Sequence, residues 1–188
     1  MEKKKGLDLI IKNAHIFTLD RDKRMINRGS AAVQGDRIVM IEPVDLSESY
    51  DADQIIDAEG MILFPGFINT HIHIFQSFLK GLGADHRLIE WLNLSALLYG
   101  RIMTPRQHEL AARLACMKAL KSGCTTLCEF FYTDQDPELA YACIEGMKST
   151  GIRSVFIRTF QDTGEEYGMP SEFIEPAGKA MREVESLK

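Results

Sequence analysis

The spacing of apolar residues divides the chain into two parts that differ in periodicity. Residues 7–63 contain short apolar runs of strand length, separated by turns that include Gly35 and Gly60. In the rest of the chain, apolar strand-like runs alternate with amphipathic helices, an order typical of a parallel α/β architecture. The pattern therefore predicts a small β domain at residues 1–64 and an α/β domain at residues 65–188.

End signals delimit the helices of the second part. Thr104 and Gln107 supply a capping box around Pro105, and Gly123 follows as a helix stop. A second helix is predicted to begin at Asp136, which precedes a proline. The apolar face of the first helix is predicted to consist of Leu110, Leu114 and Met117.

Three apolar runs of the type found in parallel sheets lie near Phe67, Leu127 and Phe156. A closed TIM (β/α)8 barrel needs eight such strands and typically about 250 residues. The sequence therefore predicts an α/β fold in which the first three strands of such a barrel are present and the barrel is incomplete. Unpaired strand edges and exposed apolar surface would follow.

Composition narrows the classes of protein. The chain has 188 residues, of which 45% are apolar and 26% charged, as in an ordinary globular protein. Its net charge of −5, with no basic stripe, argues against nucleic acid as a partner. The apolar run Leu7 to Ile11 is interrupted by Asp8 and is too short for a signal peptide or a membrane span. The sequence therefore predicts a cytoplasmic protein that does not interact with membranes.

The four cysteines are predicted to be reduced core residues, since such a chain lacks the features of a disulfide framework. An alternative is a zinc site at Cys124 and Cys128, although no second cysteine or histidine pair accompanies them.

The segment PGFINTHIH, residues 65–73, carries the strongest chemical signal. Side chains two positions apart on a strand point to the same face, so His71 and His73 can bind one metal ion while Ile72 faces the opposite layer. Neutral imidazole suits zinc, which is favoured here, and iron(II). The alternative is a pair of structural histidines at a strand end.

This segment resembles the amidohydrolase superfamily, in which a Pro-Gly-hydrophobic turn leads from a small β domain into a barrel strand that ends in HxH. Gln76-Ser77, Gly81 and the triplet at residues 90–92 resemble the aminohydrolase and chlorohydrolase branch, which includes deaminases of adenosine derivatives, purines and triazines. The segments TPRQ, SGCTTLCEF and GIRSVFIRT continue the likeness along the chain.

The resemblance implies a metal-dependent hydrolase of non-peptide C–N bonds that deaminates a purine-, pyrimidine- or triazine-like N-heterocycle through a metal-activated water. It also implies a β-sandwich-like first domain, as the N-terminal half of a composite β domain. One divalent metal would be held by His71, His73 and three ligands on later strands. The catalytic acid and base are likewise expected downstream, so the chain alone is predicted to be inactive. A small heterocyclic substrate is the expected partner, and homo-oligomer formation by the full-length protein is left open.

Candidate substrate-binding residues are Gln76, Trp91 and Arg158. Gln76 and Trp91 lie in the predicted loop after the first barrel strand, where such loops build the pocket. Arg158, at the end of the third strand, matches an arginine that adenosine-derivative deaminases use on the substrate. Glu129, at the end of the second strand, is not included in this set. The remaining histidines are predicted to be surface residues, namely His15, His86 and His108.

Gly100 is a departure from the branch that deaminates methylthioadenosine and adenosylhomocysteine. A glutamate that holds the ribose usually stands at this position, nine residues after the tryptophan of the EWL triplet. The glycine argues against a nucleoside substrate.

Two alternatives remain open. A cyclic-amide hydrolase of the hydantoinase or dihydroorotase type usually has aspartate near HxH, whereas Asn69 and Thr70 stand here. The second alternative is a non-catalytic half-protein that needs a complementary chain, because the other metal ligands are missing.

Overall fold

The computed structural model describes residues 4–132 and 136–186. The chain forms two compact units, Met1–Pro65 and Gly66–Lys188. Residues 1–3, 133–135 and 187–188 of the predicted domains lie outside the described residues. No helix of the described part is long and apolar enough to cross a membrane.

The described residues of the first unit form one mixed sheet of five strands. The strands are β1 (Lys4–Phe17), β2 (Met25–Gln34), β3 (Arg37–Glu42), β4 (Tyr50–Asp57) and β5 (Ile62–Leu63). The sheet order is β3-β2-β1-β4, with β5 also paired to β1. Strands β1, β2 and β3 pair antiparallel, whereas β4 and β5 run parallel to β1. The sandwich-like arrangement of this domain stays a prediction.

The described residues of the second unit form a parallel sheet of three strands in the order β6-β7-β8. These strands are β6 (Phe67–Ile72), β7 (Cys124–Phe131) and β8 (Arg153–Arg158). The α-helices are α1 (Leu88–Trp91), α2 (Leu97–Ile102), α3 (Pro105–Lys121), α4 (Pro137–Lys148) and α5 (Ala177–Ser186). The three predicted parallel strands are thereby confirmed.

The predicted ends of α3 are confirmed. The Thr104 hydroxyl accepts a hydrogen bond from the Gln107 backbone N–H, and the Gln107 side chain accepts one from the Thr104 N–H at 2.8 Å. Gly123 follows the helix with φ +84°, a left-handed conformation that favours glycine. The helix therefore begins and ends where its local sequence dictates.

The segment that contains Trp91 was predicted as a loop, and that prediction is wrong. Helix α1 continues through a π-helical stretch, Leu92–Ala96, into α2. Its N-cap residue, Arg87, lacks the short polar side chain that usually caps a helix. The Arg87 backbone N–H donates a hydrogen bond to the Glu90 carboxylate at 3.3 Å. Without a Ser, Thr, Asp or Asn at the cap, the start of this helix lacks its strongest sequence signal.

The core of the second unit lies between β7 and the helices α3 and α4. Leu127 and Phe131 project from β7 into this layer, where Cys116 and Cys143 are also buried. Those two cysteines occupy the core as predicted, while Cys124 and Cys128 are half-buried.

The inward face of α3 differs from the predicted one. Leu110 and Met117 are 39% and 54% exposed, whereas the buried residues of the helix are His108, Ala111, Ala112, Ala115 and Cys116. Small side chains let α3 approach α4 closely, so this face packs inward although it is less apolar than the predicted face of Leu110 and Met117. The prediction that His108 is a surface residue is therefore wrong, whereas His15 and His86 are exposed as predicted.

Gly146 of α4 lies where the two helices meet. A Cβ atom there would lie 2.4 Å from the Glu109 carbonyl oxygen and 2.8 Å from the Ala112 Cβ. We expect Gly146→Ala to lower the free energy of unfolding by about 1–3 kcal/mol, because overpacking outweighs the higher helix propensity of alanine. Gly178→Ala in α5, where the added Cβ would lie 3.7 Å from the end of the Arg182 side chain, is the control. Urea unfolding that shows equal effects for both variants would contradict this close-packing explanation.

Candidate metal centre

The two histidines of the HxH motif lie together at the carboxyl end of β6. The strand ends at Ile72, and His73 continues in extended backbone conformation with φ −113° and ψ 94°. Their Nε2 atoms are 3.2 Å apart, and the rings meet edge to face at a centroid distance of 4.8 Å. The structure thus brings both predicted metal ligands to one point.

A backbone carbonyl fixes the protonation pattern of His73. Its Nδ1–H donates to the Phe130 carbonyl oxygen at 2.7 Å, because a carbonyl can only accept. In the neutral imidazole, Nε2 then carries the lone pair that a metal requires. The His71 ring packs on the Phe130 ring at 4.8 Å, and its backbone N–H donates to the Asn69 side chain.

Burial favours the neutral form of His73. Desolvation lowers the pKa of His73 below its usual 6.5, and the neighbouring His71 lowers it further, against the opposing effect of the hydrogen bond to Phe130. Neutral imidazole is the form that binds metals. Within residues 4–132 and 136–186, no cluster of three or more His, Cys, Asp or Glu side chains could hold a metal ion.

A cavity of about 470 Å³ opens over the two histidines. Its lining is mainly aromatic and apolar, with a few neutral polar groups, and consists of His71, His73, Gln76, Leu88, Trp91, Leu92, Phe130, Tyr132, Thr159, Phe160 and Gln161. Apolar walls with a few placed polar groups are typical of small-molecule sites.

Tyr132 is a cavity residue that the sequence analysis missed. Its ring stands edge-on to His73 at 4.6 Å, and its hydroxyl accepts a hydrogen bond from Gln76 Nε2 at 2.7 Å. Burial raises the pKa of Tyr132 to about 12, so the hydroxyl stays protonated at neutral pH. The signal that could have found it is its position directly after β7, because ligands in α/β proteins bind beyond the carboxyl ends of the parallel strands.

Trp91 lines the same cavity and also packs into the unit. Its indole N–H donates to the Leu82 carbonyl at 3.0 Å, and its ring packs against a buried cluster that includes Phe75 and Ala96. Both a substrate contact and a packing role are thus compatible with its position.

Arg158 is placed differently from the other candidates. Its side chain is 5% exposed and forms ion pairs with Glu175 at 2.6 Å and Glu183 at 2.8 Å. It does not belong to the lining of the cavity over the histidines. The structure therefore brings together His71, His73, Gln76 and Trp91 but not Arg158, whose substrate role stays a prediction.

Glu129 lies behind the site, on the side of β7 that faces the helices. It is fully buried, and its Oε2 accepts a hydrogen bond from the Ile74 backbone N–H at 2.8 Å. Its Oε1 makes no hydrogen bond to any described residue. Desolvation raises the pKa of Glu129 to about 8, although the bond from Ile74 opposes that shift.

Comparison with known proteins extends these observations. Residues 62–185 match the amidohydrolase family. A 5-methylthioadenosine/S-adenosylhomocysteine deaminase from Bacillus thuringiensis (strain Al Hakam) is 29% identical over 147 residues, which cover 77% of this chain and 34% of that protein. The chain spans about a third of the length of the curated relatives it matches.

Solved structures share the α/β fold. A triazine hydrolase from Arthrobacter aurescens matches with a TM-score of 0.82 at 24% identity, over 97% of this chain and 42% of the other. An adenosine deaminase from Xanthomonas campestris, solved with bound zinc, matches with a TM-score of 0.81 at 19% identity, over 99% and 40%. At such identities the likeness shows the fold alone. Because the family match covers most of the chain, the chain belongs to the amidohydrolase family, and its relatives fall in the aminohydrolase and chlorohydrolase branch.

Proposed function

We propose that this chain is the N-terminal part of a metal-dependent hydrolase of non-peptide C–N bonds, whose reaction is the hydrolytic deamination of an N-heterocycle. The observation that carries the proposal is the convergence of the His71 and His73 Nε2 atoms at 3.2 Å. They lie beside a cavity of about 470 Å³. Family membership supports the same reaction class.

The separation of the two nitrogens fits one zinc ion. Two nitrogens at the usual zinc–nitrogen distance of about 2.0–2.1 Å lie about 3–3.5 Å apart in tetrahedral geometry. Zinc is also bound by the related adenosine deaminase. We therefore favour zinc over iron(II) in the site formed by His71 and His73. When bound, the metal supplies a water that is nucleophilic at neutral pH.

The residues of the cavity favour a flat, uncharged ring. Among the described residues, its lining contains no Asp, Glu, Lys or Arg. Trp91, Phe130 and Tyr132 offer aromatic surfaces, and Gln76 offers an amide that can bond to ring nitrogens or exocyclic groups. We propose Gln76 and Trp91 as substrate contacts. Nothing in the contacts of Arg158 supports its predicted substrate role.

The full site would require a longer polypeptide. We propose that β6, β7 and β8 are the first three strands of a (β/α)8 barrel and that later strands supply the remaining ligands and the general acid and base. Matches over about 40% of the solved relatives support this arrangement. A two-histidine site should bind metal weakly, so the 188-residue chain alone should not turn over substrate.

The identity of the heterocycle is tested by a substrate panel. The full-length protein, loaded with zinc, is assayed for ammonia or chloride release from an adenosine derivative, free purines and pyrimidines, and amino- and chlorotriazines. Because Gly100 replaces the usual ribose-binding glutamate, we expect turnover of a free base or triazine to exceed that of the nucleoside. Hydantoin is included to test cyclic-amide hydrolysis.

Metal removal provides the second part of this test. We expect chelation to abolish turnover and added zinc to restore it, since the metal supplies the nucleophilic water. A zinc-loaded protein that releases neither ammonia nor chloride from any member of the panel would contradict the proposal. Turnover by the isolated 188-residue chain would contradict the requirement for further ligands.

A further inference from the structure

Two consecutive residues of β7 accept hydrogen bonds from the His73 imidazole and from the residue after it. The Phe130 carbonyl accepts the imidazole Nδ1–H at 2.7 Å, and the Glu129 carboxyl accepts the backbone N–H of Ile74, the next residue after His73, at 2.8 Å. Side chains of neighbouring strand residues point to opposite faces, so the Glu129 side chain approaches from the helix-facing layer.

The hydrogen-bond ladder of the sheet does not extend to this point. The last paired residues of β6 and β7 are Ile72 and Glu129. Directly after His73, the chain enters a 3-10 turn, Ile74–Phe78. The first N–H groups of a helical turn have no partner within it, and Ile74 is fully buried, so water cannot serve as that partner. The Glu129 carboxyl supplies the acceptor that the ladder and the turn both lack.

The position of Glu129 is unfavourable for an acidic residue. Its neighbours on the same face of β7, Leu127 and Phe131, are fully buried apolar side chains. An apolar residue would pack in this layer without the cost of burying a carboxyl group. The hydrogen bond from Ile74 is the polar contact that distinguishes glutamate from leucine at this position.

We propose that Glu129 is a positioning residue of the metal centre, which holds the backbone after His73 so that its imidazole stays on the Phe130 carbonyl with Nε2 directed at the metal. This inference rests on the proposed function. Only a carbonyl-type acceptor is needed at this point, so an amide should replace the carboxyl group.

The test compares Glu129→Gln with the apolar variants Glu129→Leu and Glu129→Met in the full-length protein. Zinc affinity is measured by competition with a chromophoric chelator, and the tautomer of His73 by ¹⁵N NMR of the metal-free protein. We expect Glu129→Gln to stay within about threefold of wild type and the apolar variants to bind about 10- to 100-fold more weakly, as for other residues that orient metal ligands. The Nδ1–H tautomer of His73 should lose population in the apolar variants alone.

Leu127→Ala is the matched control. Leu127 is equally buried on the same face of β7, but its side chain forms no hydrogen bond to His73 or Ile74. It should lower stability without changing zinc affinity or the His73 tautomer. Circular dichroism identifies which apolar variant folds, and either one suffices.

The outcomes separate this inference from the proposed function. Wild-type protein that binds no zinc would overturn both. Wild-type zinc binding, with an apolar variant equal to wild type in affinity and tautomer, would overturn the role of Glu129 and leave the proposed function intact. A Glu129→Gln variant that binds zinc as weakly as the apolar variants would also overturn the role of Glu129, because a carbonyl acceptor would then be insufficient.

Discussion

Replacing His73 with alanine is expected to abolish zinc binding by the full-length protein and, with it, the proposed hydrolysis of an N-heterocycle. The substitution removes one of two Nε2 atoms that lie 3.2 Å apart, and no third ligand joins them within the described residues. Loss of a residue that merely orients a ligand costs about 10- to 100-fold in metal affinity, so loss of the ligand itself should exceed about 100-fold. Metal content after dialysis and chelator competition measure the effect.

His86→Ala is the control for this prediction. His86 is an exposed histidine of the same unit, so its removal should leave zinc content and turnover at the wild-type level. His71→Ala should reproduce the loss seen with His73→Ala. If His73→Ala retained one zinc ion with wild-type affinity, the assignment of the metal centre would be wrong.

Local signals in the sequence were sufficient to place the two histidines together and to predict much of the fold. The alternation of strand side chains placed His71 and His73 on one face, and the structure brings their Nε2 atoms together. The capping box of Thr104 and Gln107 fixed the start of α3 in the same way. In each case, the determining residues lie within a few positions of one another, so no knowledge of tertiary packing was needed.

The buried His108 and the cavity residue Tyr132 were missed because their positions depend on residues far apart in the sequence. His108 is buried because its ring packs against Phe75 and Phe131, which belong to other elements, and its Nε2 lies 3.3 Å from the Gly100 carbonyl oxygen. Tyr132 joins the cavity through contacts with His73 and Gln76, more than fifty positions away. A pattern along one segment cannot specify which face of a helix meets another helix, or which strand ends meet.

The buried carboxyl of Glu129 should make stability depend on pH. Its pKa is about 8 in the folded protein, mainly through desolvation, against an ordinary value of 4.5. Between these values, the folded state holds a proton that the unfolded state has released, so the free energy of unfolding falls as pH rises. The favourable contribution of the protonated Glu129 to the free energy of unfolding is complete below pH 4.5 and is lost as the pH rises through about 8. The slope is about 1.4 kcal/mol per pH unit, which gives a total on the order of 5 kcal/mol.

The thiols and the phenol near Glu129 titrate above this pH window. Cys116 on α3 and Cys143 on α4 are thiols whose pKa values burial raises, to about 11 for Cys116 and well above the usual value for Cys143. The pKa of Tyr132 is raised to about 12. These groups therefore stay neutral while Glu129 titrates. The lowered pKa of His73 changes the free energy of unfolding in the opposite direction, and that contribution is common to wild type and Glu129→Gln.

Glu129→Gln should remove most of that slope, because an amide keeps the acceptor for Ile74 and does not ionise. Urea unfolding of the full-length protein is measured at pH 5, 7 and 9. The free energies of unfolding of wild type and variant should be closest at pH 5, and that of wild type should be lower by several kcal/mol at pH 9. Glu145→Gln on the exposed side of α4 is the control, and its profile should follow wild type. If the free energy of unfolding changed with pH equally in wild type and Glu129→Gln, the prediction would be wrong, because the buried carboxyl would then already be ionised at pH 5.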